Sequence, residues 1–127
     1  MAAVRSSVIF LLSLLAAPSL FAREAAAQAE INYLLRFVET SDCRFIRAGT
    51  EYPPKEAAAH LRTKLGKSGV QVKTAEDFIS GIASKSYLSG KPYQIKLSGG
   101  KIQPAGPWLT QALERHRKEP SGTQPPR

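Results

Sequence analysis

One apolar block constrains this chain more than any other feature. Val8-Ile9-Phe10-Leu11-Leu12-Ser13-Leu14-Leu15-Ala16-Ala17 follows a lone early cation, Arg5. Ten helical residues rise about 15 Å, half of a ~30 Å hydrocarbon core. Extending the run to Phe21 crosses Pro18 and stays short of the usual ~20 residues. Small residues follow at Ala22 and in Ala25-Ala26-Ala27-Gln28-Ala29, which contains an A-x-A match. The pattern is that of a secretory signal peptide over residues 1–29, with a cut as early as Ala22 as the alternative. Cys43 lies too far beyond the block, behind Thr40-Ser41-Asp42, to carry a lipid anchor. The expectation is an exported protein with no stable membrane insertion after processing.

Removing that segment leaves a body small enough for one domain only. The whole chain of 127 residues carries a formal charge of +8. Losing Arg5, Arg23 and Glu24 with the leader lowers this by one. The charge attracts anionic polymers and lipid head groups. Its cations are scattered, without basic runs or aromatic–basic alternation, and this excludes specific nucleic-acid recognition as the expected role. A single cysteine excludes a disulfide framework and a cysteine-based zinc site. With two histidines besides and no HExxH or EF-hand spacing, neither a metal nor a cofactor is expected.

Periodicity predicts an α+β fold of four helices packed with two to four short antiparallel strands, in one domain over residues 30–118. Ile31, Leu34, Leu35 and Val38 mark one face of a helix over Glu30 to Glu39, with Tyr33 and Phe37 beside it. Cys43 to Arg47 reads as a strand returning through Thr50-Glu51-Tyr52, which leaves Ala48-Gly49 as a two-residue turn. Ala48 is a poor choice there, because tight hairpin turns want positive φ. Pro54 opens a second helix, ending near Gly66. Thr74 with Asp77 has the form of a capping box before a third helix running to about Tyr87. Tyr93, Ile95 and Leu97 alternate as one strand face, and Lys101-Ile102-Gln103 pairs back. A last helix opens at Gly106-Pro107 and buries Leu109, Ala112 and Leu113. Residues 119–127, with Pro120, Pro125 and Pro126, are expected to be a disordered tail.

Read in order, Ser41-Asp42-Cys43-Arg44-Phe45-Ile46-Arg47-Ala48-Gly49-Thr50-Glu51-Tyr52, Glu56-Ala57 with His60-Leu61, Thr74 to Ile79, Ala83 to Ser86, Ser89 to Tyr93 and Trp108-Leu109 resemble a family of small exported bacterial proteins, domain of unknown function 5329. The resemblance covers roughly Glu30 to Arg117. It implies bacterial export to the periplasm and lends no activity. Members tend to have Asn where this chain has Ala48.

Two functional readings follow from the residues. The leading one is a non-enzymatic binding or interaction module with a basic face, built from Arg44, Arg47, Tyr52, Lys91 and Tyr93. Its expected partner is an envelope protein or an anionic envelope polymer. Arg beside Tyr is a common pairing at interfaces and anion sites. The second is a cysteine-dependent hydrolase or redox protein in which Cys43 and His60 form a thiolate–imidazole pair oriented by Glu56. A lone thiol in an oxidising compartment also allows an intermolecular disulfide through Cys43. Ser84-Lys85 and Gly66-Lys67-Ser68 resemble catalytic strings only superficially. Neighbouring helix positions point about 100° apart, and a P-loop needs Gly where Leu61 stands. His116 is placed to favour the dipole at the last helix's C-terminus.

Overall fold

The computed structural model describes residues 19–68 and 71–119. The expected leader core, Met1 to Pro18, and the tail from Pro120 lie outside the described residues. Four helices and four short strands follow in the order α1 (Leu20–Thr40), β1 (Arg44–Arg47), β2 (Thr50–Tyr52), α2 (Pro54–Lys67), α3 (Ala75–Phe78), β3 (Gln94–Lys96), β4 (Ile102–Pro104) and α4 (Ala105–Lys118). The fold is α+β, with an antiparallel sheet in the order β2-β1-β3-β4.

α1 starts ten residues before the expected Glu30. The Ser19 hydroxyl accepts from the Ala22 N–H, and the Ala-rich stretch behind it has high intrinsic helix propensity. This added length contributes no fully buried side chain. The first buried residue of α1 is Ile31, whereas Leu20 and Phe21 are 71% and 84% exposed. From there Leu34, Leu35, Phe37 and Val38 enter a core that also takes Ala58 and Leu61 of α2, Phe78 of α3, and Trp108, Leu109 and Leu113 of α4. Phe37 meets Trp108 at a centroid distance of 4.7 Å, an aromatic pair that adds to simple area burial.

One sheet face supplies Phe45 and Ile95, which are directly paired, and Tyr93 to this core. Strand alternation sends Arg44, Ile46, Gln94 and Lys96 to the opposite face. There Glu51 lies between two cations, 3.8 Å from Arg44 and 3.1 Å from Lys96. The expected two-residue hairpin connection joins β1 to β2, and its type, which Ala48 leaves open in the sequence, is a tight one. Ala48 and Gly49 have φ of 50° and 79°, the two positive values of a type I′ turn.

The third helix departs from expectation. The capping box forms, with Thr74 Oγ accepting from Asp77 N–H and Asp77 Oδ2 accepting from Thr74 N–H. The α-helix then gives way after Phe78 to one π-helical turn, Ile79–Ala83, and ends well before Tyr87. Two side chains take over its carbonyls. Ser84 Oγ donates to Ile79 O at 2.5 Å, and Lys64 Nζ of α2 donates to Ile82 O at 2.8 Å. The N-terminus of α4 fits against this turn because Gly106 has no side chain: a Cβ there would stand 2.7 Å from Ser84 Oγ.

Candidate functional site

The last residue of β1 points inward at α2. Arg47 stands three positions after Arg44, an odd offset, so strand alternation puts them on opposite faces. Arg47 therefore lies on the sheet face that carries Phe45 and reaches His60, with Nη1 3.0 Å from Nε2 and 3.2 Å from Nδ1. Its guanidinium carbon also lies 5.6 Å from the Tyr52 ring centroid, within cation–π range. Phe45, Arg47, Tyr52, Glu56, Ala57 and His60 line a cavity of about 170 Å³. That is below the usual size of a small-molecule pocket and suits a terminal group or head group rather than a whole cofactor.

His60 is held toward its neutral form. Burial is the main cause, and the charges of Arg47 and Lys64 act in the same direction, pushing its pKa below the ordinary 6.5. Lys64, one helical turn farther along α2, donates to Ile82 O at 2.8 Å, Lys85 O at 2.7 Å and the Tyr93 hydroxyl at 3.3 Å. Burial lowers its pKa, with Arg47 adding to the effect. Tyr93 is buried between the sheet and α2, with its ring centroid 5.3 Å from Phe45 and 6.4 Å from His60. Burial raises its hydroxyl pKa, partly offset by Arg47.

Among the described residues Arg47 has no carboxylate within 4.0 Å, whereas Arg44, Arg62 and Lys96 each have one and Arg117 has two. The first turn of α2 stands beside the same cavity. Its cap residue is Pro53 and no side chain caps it, so the N–H groups of Lys55 and Glu56 have no intrahelical acceptor. Arg47 and the positive end of a helix thus flank one small space. Glu56 lines the same space with an acceptor.

The residues singled out in the sequence are distributed as follows. Arg47, Tyr52 and Tyr93 come together around His60. Arg44 is paired with Glu51 on the other sheet face, and Lys91 is exposed in the loop before β3. Cys43 packs at the edge of the core, and its polar neighbours are Ser41 and Asp42. Burial raises its thiol pKa, the opposite of what activates a nucleophile. His60 has Arg47 as its hydrogen-bonding partner. No group of three or more His, Cys, Asp or Glu is placed to hold a metal ion among the described residues. His116 stacks on Tyr33 with centroids 3.9 Å apart. Lys64 was not anticipated from the sequence. Its one signal is the i, i+4 spacing from His60, which puts both on one side of α2.

No helix among the described residues is long and apolar enough to cross a membrane. The family model described as "Family of unknown function (DUF5329)" matches residues 25–117. The uncharacterized protein YfeK of Salmonella typhimurium strain LT2 is 41% identical over 70 residues. That alignment takes in 54% of this chain and 58% of the relative. No solved structure matches the chain significantly. A match of this extent, spanning every described strand and the last three helices together with most of α1, makes the chain a member of the family of unknown function DUF5329.

Proposed function

We propose that this protein is an exported, periplasmic, non-enzymatic binding module that takes an anionic group of an envelope partner into the Arg47 pocket. One observation carries the reading: a half-buried guanidinium faces an aromatic ring and a neutral imidazole, with no carboxylate within ion-pairing distance among the described residues. A carboxylate or phosphate entering there gains charge-assisted hydrogen bonds from a donor whose desolvation is already partly met. The uncapped first turn of α2 supports the same sign of ligand. Glu56 at the wall favours a ligand with an amine beside its acid group. The raised Cys43 pKa argues for binding over thiol chemistry.

Export is supported by the Arg5 and Val8–Ala17 pattern and by where burial begins. A cut after Ala29 removes no residue of the hydrophobic core and leaves Glu30, which pairs with Arg117, as the first residue.

Titration followed by NMR of the His60 ring and the Arg47 guanidinium tests the pocket. The probes are acetate, glycine, inorganic phosphate and glycerol phosphate. At least one should give a saturable shift that Arg47→Gln abolishes. Absence of saturation by every probe at tens of millimolar sinks the reading. N-terminal sequencing of the protein recovered from its bacterial host tests export, and an intact Met1 in the cytosol counts against it.

A further inference from the structure

The two most exposed large apolar side chains of the described residues are neighbours. Tyr87 is 89% and Leu88 95% exposed, at the tip of the loop between the π-helical turn and β3. The loop is built to hold them there. Ser86 N–H donates to Lys91 O and Gly90 N–H to Ser86 O, both at 2.9 Å. An antiparallel bridge joins Lys85 to Pro92, and Tyr93 N–H donates to Ser84 O at 2.8 Å. Gly90 supplies the positive φ of 66° that closes the turn. At the base, Lys64 Nζ takes the Lys85 carbonyl. A loop tied in this way presents its tip rather than folding it back.

The chain flanking the tip carries charge of one sign. Between Asp77 and Glu114 the chain carries Lys85, Lys91, Lys96 and Lys101 and neither Asp nor Glu. Lys96 pairs with Glu51, while Lys85 and Lys91, which flank the tip, have no ion-pair partner among the described residues. Tyr87 also borders a cavity lined by Lys67 and Asp77, and the Asp77 carboxylate is occupied by the Lys73 and Thr74 N–H groups.

We propose that the Tyr87–Leu88 tip is a shallow wedge that docks the protein on an anionic lipid bilayer. Exposure and size favour a bilayer over a protein. Both side chains stand almost fully in solvent, and two side chains are far too little for a stable protein interface, which needs about 800 Å² per partner. They suffice to enter the head-group region, where a tyrosine ring sits well at the boundary and a leucine reaches the acyl chains. Lys85 and Lys91 then lie at the depth of the anionic head groups. Each contribution is small, so docking is reversible.

A Tyr87→Trp substitution in the full chain reads the tip by position. The native Trp108 is buried and supplies a constant background. With vesicles containing about a third phosphatidylglycerol, emission should move to shorter wavelength and be quenched by acyl-brominated lipid, with little response to pure phosphatidylcholine. In that background Leu88→Ser should weaken the response about tenfold, and Lys85→Gln and Lys91→Gln about fivefold each. An unshifted tip on anionic vesicles overturns the proposal, even if the apolar leader carries the chain to the lipid. Equal response to both vesicles, or a shift seen only with added envelope protein, overturns it as well.

Discussion

Arg47 on β1 and His60 on α2 are joined at 3.0 Å through Nη1 and Nε2, which locks the end of a strand to the middle of a helix. The arrangement requires a neutral ring, because an imidazolium has no lone pair to offer. Arg47 and Lys64 act on the ring with positive charge, Tyr93 meets it edge-on at 6.4 Å, Tyr52 lines the same cavity, and Glu56 stands one turn earlier on α2.

The pH dependence of stability follows from the lowered His60 pKa. The unfolded chain takes up its proton near the ordinary 6.5, before the folded protein does. Stability should therefore be complete above that value and decline as pH falls through the lowered folded pKa, levelling off beneath it. Urea midpoints from pH 7.5 to 5 should show the decline, and His60→Gln should flatten it. An anionic ligand in the pocket raises the ring's pKa again, so binding near pH 6 should take up protons, which calorimetry in buffers of different ionisation heat detects.

Ala48 should be replaceable at a gain. Its φ of 50° lies in the left-handed region, which costs an alanine roughly 1 kcal/mol. Nothing about the position needs the methyl group, since Ala48 is exposed. Ala48→Asn should raise stability by about 0.5–1 kcal/mol without loosening the unfolded chain. Ala48→Gly should gain less, because glycine adds unfolded-state entropy. Denaturant midpoints measure both, and a loss with Asn contradicts the strain argument.

Gly106 and Ser84 should behave as a coupled pair. Within a helix, glycine to alanine gains up to about 1 kcal/mol by propensity alone. Here the new Cβ would lie 2.7 Å from Ser84 Oγ, and the hydroxyl cannot swing away without releasing the Ile79 carbonyl. Gly106→Ala should cost about 1–3 kcal/mol in the native sequence and much less with Ser84→Ala. Additive effects of the two substitutions would refute the contact.

What the sequence made legible was local. The face Ile31-Leu34-Leu35-Val38, the Thr74–Asp77 box, the alternation Tyr93-Ile95-Leu97 and the two-residue turn at Ala48-Gly49 each follow from spacing within a few residues. The π-helical turn was not legible, because its carbonyls are taken by Lys64 from another helix and by Ser84 under the constraint of Gly106. For the pocket, Arg47, Tyr52 and Tyr93 could be nominated by type. Alternation alone separates Arg44 from Arg47. That the Arg47 face meets His60 depends on how α2 packs under the sheet, a long-range fact that no window of sequence contains.

Arg117 joins three helices through two carboxylates. It grips Glu30 of α1 in a two-toothed pair, with Nε 2.6 Å from Oε2 and Nη2 3.0 Å from Oε1, and sets Nη1 2.6 Å from Glu76 of α3. The geometry is better than that of an ordinary surface pair, yet Glu76 and Arg117 are both well exposed. Arg117→Gln should therefore cost only about 1 kcal/mol at neutral pH and low salt, and less at 1 M salt. Arg117→Lys should recover little, since an ammonium cannot make the paired contact. The hydrogen bond from Arg117 is the main cause of the lowered Glu76 pKa. A lowered carboxyl pKa stabilises above the ordinary value near 4.5 and loses that contribution as pH falls through the folded value. The gap between native protein and Arg117→Gln should then close as pH is taken from 7 to 3, in a window below the one assigned to His60. A gap that stays constant over that range would mean that Arg117 acts through packing of its aliphatic stem rather than through its charge.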